Sequence, residues 1–132
     1  MSEELVCEMK LSEGSFKLYN DKKNKLLRGV WAGKYEDKDQ KKAWEAIWNE
    51  GIKYKGELLY LHDASNSDVK LWSSKQGKIA SDMFAEAAAN SKKIAIVYSS
   101  FMHQKSTESF GKIPDNCKFF SSSQEAMNWL LG

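Results

Sequence analysis

The chain has 132 residues, about one domain's worth, with 42% apolar, 12% aromatic and 29% charged side chains and a single proline. That composition excludes collagen, low-complexity disorder and a disulfide scaffold. Twenty basic against eighteen acidic residues leave +2, too balanced for a dedicated phosphate-backbone binder, and Arg28 is the only arginine with a planar bidentate fork. No nucleic-acid partner is therefore expected.

No apolar run approaches the roughly 20 residues that cross a bilayer, and no charged-then-apolar leader opens the chain. Cys7 and Cys117 are far apart and share no metal-finger spacing, so free thiols are expected. The expectation is a cytoplasmic protein without a transmembrane segment.

Residues 1–14 carry four glutamates against Lys10 and read as an acidic lead-in, with residues 15–132 as the domain. Leu5, Cys7, Met9 and Leu11 alternate, which favours a short strand or a frayed approach to one. Phe16 and Leu18 begin a firmer strand, and Leu26–Ala32 gives a second. Asp21-Lys22-Lys23-Asn24 turns between them, with Asn24 expected to take the positive φ. Gly33 closes this hairpin. Asp37 reads as a helix N-cap with Gln40 three residues on, and Ala43, Trp44, Ile47 and Trp48 share one face up to Gly51.

Leu58–Leu61 is a short apolar run of the kind covered on both faces, so its end is expected to surface at Asp63. Ser67 reads as the next N-cap, opening a helical stretch through Leu71 and Trp72. Gly77 is expected to break or bend it before Ile79–Ala89. Ile94–Tyr98 is the clearest buried strand, followed by a weak helical stretch over 101–110. Cys117–Phe120 is a final strand. Ser122 with Glu125 then caps a last helix that docks Ala126, Trp129 and Leu130 on the sheet. The order predicts one α/β domain: a mixed sheet made of an N-terminal antiparallel hairpin plus βα units, with helices packed on it.

Three stretches resemble a known family. Lys93–Val97 followed by Phe119-Phe120-Ser121-Ser122 and Glu125-Ala126-Met127-Asn128-Trp129-Leu130 is similar to the close of the SpoIIAA-like, STAS/Sec14-related domains. Phe16-Lys17-Leu18 with Asn24-Lys25-Leu26-Leu27 and Trp31 resembles their opening hairpin, and Asp63 with Trp72 matches the middle. The resemblance implies a small mixed-sheet fold and a non-enzymatic regulatory or binding module. STAS-type relatives bind protein partners under phosphorylation control, and Sec14-type relatives bind lipids, so the alternative partner is a small apolar ligand.

Chemistry is sparse. His62 and His103 are the only near-neutral acid–base side chains. A minor hydrolase would use His62 or His103; a triad written from Ser65 or Ser99 with His103 and Asp63 lacks the G-x-S-x-G elbow and any glycine-rich oxyanion loop. No phosphate-cradling glycine motif and no clustered metal ligands occur, so neither cofactor nor metal is expected. Trp44, Trp48 and Trp129 fall at core spacing, and Lys38–Lys42 reads as a solvated face.

His62 is expected as a partly exposed strand-end residue beside Asp63, where open α/β sheets put their ligands. Together His62, Asp63, Ser65 and Ser67 form the candidate regulatory or partner-binding site. In STAS switch proteins the regulatory serine follows a strand, at a helix N-terminus whose N–H groups favour an added phosphate.

Overall fold

The computed structural model describes residues 3–67, 74–98 and 114–132. In chain order the elements are β1 (Glu3–Lys10), β2 (Glu13–Asp21), β3 (Leu26–Lys34), α1 (Asp37–Gly51), a 3₁₀ turn (Ile52–Tyr54), β4 (Leu58–Ser67), α2 (Ser74–Ala89), β5 (Ser91–Tyr98), β6 (Cys117–Phe120) and α3 (Ser123–Leu131). The six strands lie side by side in chain order. β1, β2 and β3 pair antiparallel, whereas β3 through β6 are parallel. The mixed α/β sheet expected from the sequence is therefore present. The helical stretch expected over 101–110, with Leu71, Trp72, Ser99 and His103, lies outside the described residues.

β1 belongs to the sheet. Its alternation is interrupted by an irregularity between Leu5 and Cys7. Cys7 and Met9 pack on the core beyond that point, while Leu5 is left 50% exposed. In the β2–β3 turn the left-handed residue is Lys25, not Asn24; Asn24 instead donates from its side-chain amide to Asp21, at 2.7 Å. The N-cap of α1 is Glu36, one residue before the expected Asp37. The Glu36 N–H donates to the Asp39 carboxylate at 2.8 Å, and the N–H and hydroxyl of Ser12 converge on the same oxygen. Slight burial opposes ionisation of Asp39, but these donors hold its carboxyl below the usual range.

Because side chains alternate along a strand, every central strand feeds two cores. One face carries Phe16, Leu18, Leu27, Trp31, Tyr60, Ile94 and Ile96 and is covered by Trp44 and Ile47 of α1 and Phe84 of α2. The opposite face carries Leu26, Leu61, Ala95 and Val97 and is covered by Ala126 and Leu130 of α3. Gly29 sits where β3 crosses Tyr60: a Cβ there would lie 2.5 Å from the Tyr60 hydroxyl, so only glycine leaves that ring its place.

α2 runs unbroken through Gly77 from Ser74. The Ser122 hydroxyl accepts from the Glu125 N–H at 3.2 Å, which starts α3 as its sequence predicts. Trp129 is only partly buried, lying 5.6 Å from the Phe120 ring with the Lys93 ammonium 5.1 Å from its own, so Ala126 and Leu130 are what α3 buries fully.

Candidate functional site

β4 is ten residues long rather than ending near Asp63, and its length redistributes the four predicted site residues. His62 and Asp63 point to opposite faces of the sheet. His62 is 3% exposed, which replaces the expected partly exposed position with an interior one. Its ring stacks on Trp44 at 5.7 Å and 11°, with Trp31 and Phe84 also against it, and its Nδ1 lies 3.3 Å from the Tyr60 hydroxyl.

Asp63 does not surface either, being 8% exposed on the α3 side. The parallel pairing of β3 and β4 slips between Val30 and Ala32, where Asp63 and Asn66 are the partners on β4. This irregularity interrupts the ladder at Ser65, and a carboxylate two residues back is within local reach. One Asp63 oxygen accepts from the Ser65 N–H at 3.1 Å and from its hydroxyl at 2.6 Å. The other accepts from the hydroxyl of Ser123, in the first turn of α3, at 3.0 Å.

Ser65 is exposed, while Ser67 is buried as the last residue of β4 and donates to the Tyr35 hydroxyl at 3.2 Å. Burial of Tyr35 pushes its phenol up to about 12 although the Ser67 hydrogen bond acts the other way. The stretch that Ser67 is expected to open, through Leu71 and Trp72, lies outside the described residues. The structure thus brings Asp63 and Ser65 together with Ser123, and places His62 and Ser67 away from that pair.

Ser123 was not singled out by sequence reasoning, although the Ser122–Glu125 cap that positions it is legible. Arg28 was also missed as a member of this face. It pairs bidentately with Glu3 at 2.7 and 3.0 Å, and its guanidinium lies 4.3 Å from the centre of the Tyr19 ring. The Glu3 hydrogen bonds keep its pKa raised against partial burial, and Asp63 adds a smaller attraction in the same direction. Among the described residues no three His, Cys, Asp or Glu side chains gather in a way that could hold a metal ion. No helix of the described residues is long and apolar enough to cross a membrane.

A six-stranded mixed sheet with helices on both faces and a polar cluster at the carboxyl end of a central parallel strand defines a STAS-type α/β module. The chain belongs to the SpoIIAA-like family, whose sequence profile matches residues 26–131. Neither the curated proteins nor the solved structures contain a match.

Proposed function

We propose that this protein is a regulatory binding module that engages a protein partner at the carboxyl end of β4, with Ser65 as the switchable residue. The observation that carries this reading is the contrast between two serines: Ser65 is exposed and held by Asp63, whereas Ser67 is buried against Tyr35. Family membership supports the regulatory class.

The chemistry of such a switch follows from the contacts. Phosphorylation of Ser65 removes the hydroxyl proton that Asp63 now accepts and adds about two negative charges beside that carboxylate. Repulsion pushes the phosphate and Asp63 apart, loosens the Asp63–Ser123 contact and changes the surface shared by β4 and α3. The test is partner capture from the source cell with Ser65→Ala and Ser65→Asp. The aspartate variant should lose or exchange partners that the alanine variant keeps, with unchanged circular dichroism. Identical partners and affinities for both variants would show that Ser65 is structural.

Catalysis by His62 gains no support, because the imidazole is buried against Trp44 in the core opposite Asp63, and His103 lies outside the described residues. A second reading, ligand carriage, is favoured by one feature: a pocket of about 200 Å³ between α1, α2 and the start of β4. Native mass spectrometry of the purified protein tests it by the mass of any retained small molecule.

A further inference from the structure

Ile52 is the most exposed large apolar side chain among the described residues, at 74%. Ordered backbone presents it. Its N–H donates to the Trp48 carbonyl at the end of α1, and its own carbonyl accepts from the Lys55 N–H at 3.2 Å. Ile52 also stands on the lip of the pocket between α1, α2 and the start of β4, whose apolar walls include Ile47, Trp48, Leu58 and Ala87. That pocket is half-open and has about 200 Å³ of space. A cavity of about 150 Å³ holds the six carbons of benzene, so this one takes the four carbons of an isoleucine side chain entering from outside.

An apolar knob and an apolar hole thus lie side by side on one patch, and the charges divide in the same way. Glu86 belongs to the hole, and Lys55 ends the turn that carries the knob. Both are exposed, and neither forms an ion pair among the described residues. A surface that holds both halves of a fit is self-complementary, and two copies related by a two-fold axis satisfy it twice.

We infer that this patch is the interface of a homodimer in which each Ile52 fills the other copy's pocket and each Lys55 meets the other copy's Glu86. The occupant of the pocket is then a second copy of the chain, in place of the small molecule of the ligand-carriage reading. Ser65 lies toward the other end of β4, so its switch stands or falls separately.

Sedimentation equilibrium of the full chain over a concentration series tests the dimer. The wild-type chain should show a reversible monomer–dimer equilibrium. Ile52→Ser, at an exposed position, removes two apolar anchors and should raise the dissociation constant about tenfold or more. Glu86→Lys sets lysine against lysine and should raise it about fivefold, as should Lys55→Glu alone. The two reversals together should restore the wild-type constant, because the ion pairs re-form with their signs exchanged. A chain that stays monomeric at every concentration, a dimer indifferent to Ile52→Ser, or a double reversal no tighter than the single ones would each overturn the inference. Native mass spectrometry identifies the rival occupant: a small molecule retained by the monomer would overturn the dimer and leave ligand carriage standing.

Discussion

Asp63 accepts three hydrogen bonds on two oxygens, and they join a strand irregularity to the first turn of a helix. Asp63→Ala leaves the Ser65 N–H and two hydroxyls to find water, and should lower stability by about 1–3 kcal/mol in urea denaturation. Ser67→Ala should act on stability alone, since Ser67 is buried on the other side of β4. Buried proton-bearing groups set the alkaline limit. Burial pushes Cys117 up to about 12 from an ordinary value of 9.0, Tyr35 to about 12 from 10.0, and Tyr60 higher still. The folded state holds these protons more tightly than the unfolded chain. Their contribution is therefore complete below about pH 9 and is lost as pH rises toward 12. Urea midpoints at pH 8 and pH 11 should show that loss, and Tyr35→Phe should reduce it. For the same reason Cys117 should resist thiol reagents at pH 8 until the protein is unfolded.

The elements show where the sequence was legible. Cys117–Phe120 and the start of α3 match their predicted limits, because a strand bounded by turn residues and a serine cap are local signals. β4 was read too short because Asp63, Ser65, Asn66 and Ser67 look like a loop. Asp63 and Ser67 find partners far away in sequence, in Ser123 and Tyr35, and no local pattern announces such partners. The interior position of His62 was hidden for the same reason, as its aromatic neighbours come from β3, α1 and α2. Two of the three tryptophans predicted for core helix faces, Trp44 and Trp129, should now part company. Trp44→Ala removes a ring that is 1% exposed and should cost about 3–5 kcal/mol, whereas Trp129→Ala should cost about 1–2 kcal/mol because that ring is half-covered and owes part of its hold to Lys93. Comparable losses in chemical denaturation would contradict this packing.

At the scale of the whole molecule, the two faces of the sheet are unequal. α1 and α2 cover a continuous aromatic core that reaches β2, whereas α3 covers only the parallel strands. The apolar pocket and the Ser65 cluster accordingly lie at different places, one under the helix pair and one beside α3. The agreement of spatial with chain order has a consequence for how the molecule is made. β1, β2 and β3 all lie before residue 35 and pair only with their immediate neighbours, through short turns that close small loops. Each parallel strand, by contrast, must wait for a longer crossover, which carries α1 before β4 and α2 before β5. A chain emerging from the ribosome can therefore lay down its three-stranded meander first and then add β4, β5 and β6 one at a time to a single growing edge. In pulsed hydrogen exchange, the amides of Phe16–Leu18 and Gly29–Trp31 should accordingly gain protection before those of Ile94–Val97.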